Sequence, residues 1–179
     1  MTVFFLSTST QADSFTAILT GSQEVPPVST TGSGTGTVTL NGNLLTINLA
    51  FQNLTSPTVD GHIHCCTPVG ANAVVAIGFT STGFPLGVTS GSYSNTFDLN
   101  VLSIYNAAFV TANGGTLTTA RAAFISGLEN GRTYLNVHTM AFPGGEIRGQ
   151  VVPEPATMIL LGTGLAAVAG RKLRRRRSE

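Results

Sequence analysis

Residues 35–51, TGTVTLNGNLLTINLAF, read as two short strands folded back on one another. The arms Thr35 to Leu40 and Leu44 to Phe51 flank Asn41-Gly42-Asn43, and Asn-Gly between alternating apolar runs is a strong hairpin signal. In the second arm Leu45, Ile47, Leu49 and Phe51 alternate with Thr46, Asn48 and Ala50. A period of two sends one set to a core and the other toward solvent, as in a half-buried antiparallel strand.

Working outward, the same signal recurs. Phe15 to Leu19 forms a first strand ended by Gly21, and Gln23 to Val28 is extended because Pro26 and Pro27 push their predecessors out of the α region. The uninterrupted run Ala73 to Phe79 (AVVAIGF) predicts a strand buried on both sides, and Ser92 to Leu99 predicts another. Leu117, Ala120, Phe124, Ile125 and Leu128 then fall on one face of a short helix, with Gly127 and Gly131 near its end. The stretch Ile104 to Val110 reads as a helical turn or a further short strand. Thr133 to Thr139 and Glu146 to Val151 close the series, with Leu135, Val137, Ile147 and Val151 facing the core. Tyr134, Asn136, His138, Glu146, Arg148 and Gln150 take the opposite faces. Many short strands separated by turns predict an all-β antiparallel sandwich or barrel with one short helix.

Composition fits a single domain of this kind plus short terminal segments. The chain has 179 residues, 42% of them hydrophobic and only 9% charged, with 21 glycines. Up to residue 152 three arginines face six carboxylates, a net charge of −3, and there is no lysine. Such a body cannot neutralise a phosphate backbone, which excludes nucleic acid as a partner class.

The chemistry is concentrated in Val59-Asp60-Gly61-His62-Ile63-His64-Cys65-Cys66, which holds two of the three histidines and both cysteines. On a strand, His62, His64 and Cys66 project one way and Ile63 and Cys65 the other. With His138 these are the only imidazoles. Three neutral imidazoles could bind zinc or copper, with Cys66 as a softer fourth ligand. Glu146 and Arg148 follow His138 by a short loop, so with Asn136 they form a supporting polar face. The competing reading has the histidines bonding backbone carbonyls at strand ends, with a Glu146–Arg148 salt bridge pinning the last strand. Cys65 and Cys66 have three readings: a vicinal disulfide, Cys66 as ligand with Cys65 buried, or two quiet thiols. No Gly-x-Ser-x-Gly stretch is present, so a serine hydrolase is not expected.

The ends read separately. Residues 1–12 (MTVFFLSTSTQA) form the stump of a signal peptide, apolar then small-residue but without a basic start. At the other end Pro153-Glu154-Pro155 closes the domain, Ala156 to Gly170 is uncharged, and Arg171, Lys172 and Arg174 to Arg177 are basic. Apolar-then-basic predicts a single transmembrane helix whose arginines stay cytoplasmic, although the apolar stretch is shorter than the roughly 20 residues of a comfortable span.

Val152-Pro153-Glu154-Pro155-Ala156-Thr157, a short apolar helix and an Arg-rich end together resemble the PEP-CTERM sorting signal of Gram-negative bacteria. That resemblance implies recognition and cleavage by an exosortase-type enzyme, a transient inner-membrane anchor at residues 153–179, and delivery to the cell surface or exopolysaccharide matrix. Residues 13–152 resemble the CHRD (chordin-type) domain. The matching motifs are Leu19-Thr20-Gly21-Ser22-Gln23-Glu24-Val25-Pro26-Pro27, Gly61-His62-Ile63-His64, the helix before Gly127, Tyr134-Leu135-Asn136-Val137-His138-Thr139, and Pro143-Gly144-Gly145-Glu146-Ile147-Arg148-Gly149-Gln150. The resemblance implies a β-sandwich, immunoglobulin-like or copper/zinc superoxide dismutase-like in shape, and no established chemistry. His-x-His echoes the dismutase copper site, but a fourth copper histidine and a zinc loop are lacking, so dismutase activity is not expected. The expectation is a secreted, non-enzymatic binding or structural module of the surface or matrix, with polysaccharide or surface proteins as partners and a candidate zinc or copper site. Its rivals are a metal-dependent redox enzyme and a structural matrix protein with no site.

Overall fold

The computed structural model describes residues 12–154. The signal-peptide stump, and the sorting segment beyond Glu154, lie outside the described residues. Eight strands are present: β1 (Asp13–Thr20), β2 (Ser33–Asn41), β3 (Leu44–Gln52), β4 (Thr58–Cys65), β5 (Val74–Gly78), β6 (Gly91–Asp98), β7 (Thr133–Thr139) and β8 (Ile147–Pro153). They form one antiparallel sheet in the order β5-β4-β7-β8-β1-β2-β3-β6. The sheet curls until its far ends share one core: Phe79, just beyond β5, stacks on Tyr93 of β6 with ring centroids 4.9 Å apart. The all-β antiparallel expectation therefore holds, with the two facing halves joined through the β1–β8 pair.

The opening hairpin forms as its sequence dictates. Asn41 pairs with Leu44, leaving Gly42 and Asn43 as the turn, and Gly42 takes φ +60°, a conformation glycine adopts without steric cost. Leu45, Ile47, Leu49 and Phe51 are all buried in the core. Between β6 and β7 lie α1 (Ala107–Ala112) and α2 (Leu117–Glu129). So the stretch Ile104 to Val110 is helical at its end rather than a strand. α2 starts in a capping box in which the Thr116 hydroxyl accepts from the Thr119 N–H, and it buries Ala120, Phe124, Gly127 and Leu128.

One expectation changes. The Ala73 to Phe79 run lies at the sheet edge, and only its second half is buried on both sides: adjacent Ala76 and Ile77 are fully covered, whereas Val74 is 43% exposed. Its apolar character has another cause: α1 packs against β5, and Ala76 and Ile77 are covered while the strand start is not. Among the described residues no helix is long and apolar enough to cross a membrane.

Candidate metal centre

Pairing of β4 with β7 builds the site. His62 lies opposite Asn136, His64 opposite Tyr134, and Asp60 opposite His138. Alternation then puts His62, His64, Tyr134, Asn136 and His138 on one face of the two strands, with Ile63, Leu135 and Val137 in the core behind them. This polar face is itself covered: Tyr134 and Asn136 are 3% exposed and His64 8%. Segments 71–73 and 24–25 reach over His64, Tyr134 and Asn136, whereas His62 and His138 are half-buried.

Each imidazole has one nitrogen tied to an oxygen. His64 Nδ1 is 2.9 Å from the Ala73 carbonyl, and His138 Nδ1 is 2.9 Å from that of Pro143. His62 Nε2 lies 2.7 Å from the Asp60 carboxylate, whose other oxygen accepts from the Gly61 N–H. A carbonyl or carboxylate requires the facing nitrogen to carry the proton, so the opposite nitrogens carry lone pairs. Those nitrogens are His62 Nδ1, His64 Nε2 and His138 Nε2. The ligand atoms of the three lie within 4.8 Å of one another. His64 Nε2 is buried with no hydrogen-bond partner, a property shared among the side-chain polar atoms of the described residues only by Thr133 Oγ1. His62 Nδ1 and His138 Nε2 face each other at 3.2 Å. Two lone pairs at that distance repel unless a cation sits with them.

Burial disfavours the charged form of two of the rings. It pushes the pKa of His64 down to about 4, against a smaller opposing effect of the Ala73 carbonyl. His138 is lowered for the same reason, opposed by the Pro143 carbonyl. Neutral imidazoles with one nitrogen held by an oxygen and the other free form the donor set seen where histidine binds zinc or copper.

A second group of polar side chains backs this cluster. The His64 ring stacks on Tyr134, and the Arg148 guanidinium lies 3.4 Å over the Tyr134 ring. Arg148, 2% exposed, donates to Asn72 Oδ1 at 3.1 Å and to the Ala71 carbonyl at 2.8 Å. Asn136 does not reach the imidazoles; its amide donates to Glu24 Oε1 at 2.6 Å and to the Ile147 carbonyl. Burial pushes the pKa of Glu24 up to about 7, opposed by the Asn136 bond and the positive charge of Arg148.

Two residues sit elsewhere than the sequence suggests. Cys66 is not with the imidazoles: its Sγ is bonded to Cys65, and both sulfurs lie against the Ala123 carbonyl of α2. β4 ends at Cys65, so strand alternation does not extend to Cys66. Glu146 makes no hydrogen bond to the histidines. It accepts from Thr30 and Thr139 hydroxyls at 2.5 and 2.6 Å and from the Thr55 N–H at 2.7 Å. Nor does it pair with Arg148; among the described residues the one ion-pair contact is His62–Asp60. Glu146 precedes β8 and turns toward residues 30 and 55, whereas Arg148 lies within β8 opposite Asn136.

Asp60, Tyr134 and Glu24 contribute to this region without having been singled out. Asp60 carried a local signal, because it lies two residues from His62 on the same side of a strand. Tyr134 and Glu24 acquire their roles through contacts with residues distant in sequence.

Among curated proteins and solved structures, no match to the chain was found. The PEP-CTERM protein-sorting motif matches residues 151–176, which makes the protein an extracytoplasmic, membrane-processed substrate of an exosortase. The CHRD domain matches residues 15–151, spanning both helices and all of the sheet but the outer ends of β1 and β8, and the chain belongs to the CHRD-domain family.

Proposed function

We propose that this protein is a non-enzymatic module of the cell surface or exopolysaccharide matrix that binds one copper or zinc ion through His62, His64 and His138. The observation that carries this reading is the convergence of three imidazole ligand atoms within 4.8 Å, each ring held by an oxygen on its far nitrogen. Imidazole suits both metals, and copper is the tighter binder in the general order of divalent affinities. Asp60 and the Ala73 and Pro143 carbonyls fix the rings, so little ordering cost remains for binding.

The decisive experiment is metal analysis of the purified mature protein after loading and dialysis, alongside thermal denaturation. One equivalent of copper or zinc and a raised melting temperature are expected, both lost in His64→Ala. Absence of bound metal with an unchanged melting temperature overturns the site.

One observation favours the structural rival. A proton could replace the metal between His62 and His138, since His62 also contacts the Asp60 carboxylate. In that case His62 is an imidazolium bridging the two, and the cluster is a strand clamp. Proton release on titration with metal separates the cases, because a metal displaces that proton and a clamp binds no metal. A superoxide assay on metal-loaded protein addresses the redox-enzyme reading.

A further inference from the structure

A cleft of about 440 Å³ opens beside, but separate from, the histidine cluster. Arg148 and Glu24, 2% and 6% exposed, lie among its lining residues, with Val25, Pro27, Val69 and Gln150. The volume falls within the range of small-molecule sites. We propose that this cleft binds a uronic acid unit, a sugar ring carrying one carboxylate.

The charge arrangement points to a single carboxylate. Arg148 has five N–H donors, and its two hydrogen bonds go to neutral acceptors, Asn72 and Ala71. No carboxylate lies within 4.0 Å of it among the described residues. Glu24 acts on Arg148 only from beyond that distance, so a ligand carboxylate can take the direct contact with matching two-pronged geometry. Glu24 sets the limit on charge. Its Oε1 is already taken by Asn136. An ionised Glu24 beside the ligand repels a dianion such as phosphate more than a monoanion, and a protonated Glu24 donates to the ligand. Its pKa near 7 makes the protonated form available in neutral water.

The walls point to a sugar rather than a bare anion. Val25, Pro27 and Val69 present apolar surface, and Val69 is 72% exposed. A pyranose ring has C–H faces that cover such surface while its hydroxyls reach polar groups such as Gln150. An inorganic anion gains nothing from those three side chains.

Calorimetric titration of the purified mature protein with glucuronate, glucose, acetate and sulfate tests the assignment, with a glucuronate oligomer to distinguish free sugar from polysaccharide as the source. Saturable glucuronate binding is expected, with glucose, acetate and sulfate each at least about tenfold weaker. Arg148→Lys loses the two-pronged contact and should weaken glucuronate at least about tenfold. Val69→Asp, at an exposed position that does not bear on folding, puts a carboxylate at the mouth and should weaken it similarly. Absence of saturable glucuronate binding overturns the proposal. So does acetate or sulfate binding as tightly as glucuronate, or a folded Val69→Asp variant that binds as wild type does.

Discussion

His64 lies flat against Tyr134, with ring centroids 4.5 Å apart and planes 7° from parallel. Arg148 sits 3.4 Å over the same ring, so Tyr134 is sandwiched between an imidazole and a guanidinium. The Tyr134 hydroxyl also accepts from the Ala73 N–H at 3.0 Å, and Ala73 supplies the carbonyl that fixes His64 Nδ1. One tyrosine thus holds both the ring and the group that orients it. Tyr134→Phe keeps the stack and removes the hydroxyl contact. It should cost about 1 kcal/mol of stability by chemical denaturation and change metal affinity little. Tyr134→Ala removes both and should weaken metal markedly.

Asp60 orients His62 through a 2.7 Å contact and is itself partly exposed, so its substitution should not unfold the protein. Asp60→Asn is expected to weaken copper or zinc by about 10- to 100-fold in a competition titration, the usual effect of losing a carboxylate behind a ligating histidine. Unchanged affinity would remove the carboxylate from the site.

Two buried groups bend the pH profile of the metal-free protein in opposite directions. Glu24 is raised to about 7 in the fold, from an ordinary value near 4.5, so its contribution is fully present below about 4.5 and is lost as pH rises toward 7. His64 is lowered to about 4, from about 6.5, so its contribution is present above about 6.5 and is lost as pH falls toward 4. Each shift corresponds to roughly 3 kcal/mol, and between about pH 4.5 and 6.5 they offset. His138 is left uncompensated, so denaturant unfolding in chelator should give only a shallow loss of stability as pH falls across that window. Glu24→Gln should unmask the histidine slope, with stability falling as pH drops, and the lowered His138 adds to the same slope.

Glu146 belongs to a different node. Burial raises its pKa, but hydrogen bonds from Thr139, Thr30 and Thr55 outweigh this and hold the carboxyl below its ordinary value. Glu146→Ala leaves those donors without their acceptor and should cost about 1–3 kcal/mol. Metal affinity should not change, which calorimetry on the folded variant checks.

Gly127 of α2 packs against the disulfide, and a Cβ built there would run into both sulfurs. Gly127→Ala should destabilise the protein by about 1–3 kcal/mol despite alanine's better helix propensity, because the overpacked site must shift either α2 or the end of β4. A melting temperature at or above wild type would show that the sulfurs yield freely.

Much of the fold was legible in the chain because strand alternation is a local property. The Leu45, Ile47, Leu49 and Phe51 set needed no partner to declare its buried face, and Gly42 marked the turn that pairs it with β2. Alternation failed where its premise ended. The apolar β5 run mimics a central strand because a helix covers it at the sheet edge, and Cys66 lies beyond the last residue of β4. A uniform apolar run looks the same whether a helix or a second strand covers it.

For the site, sequence alone determined which residues could act: three imidazoles on the non-core faces of two strands. Tertiary structure decided which of them meet. The β4–β7 register brings His138 within 3.2 Å of His62, across a sequence separation of 76 residues. The loops over that face supply the Ala73 and Pro143 carbonyls that select which nitrogen of His64 and His138 carries its lone pair. The same packing separates Glu146 from Arg148, which the sequence places only two residues apart. Side-chain direction follows from local backbone geometry, whereas proximity, burial and tautomer depend on pairings between segments far apart in the chain.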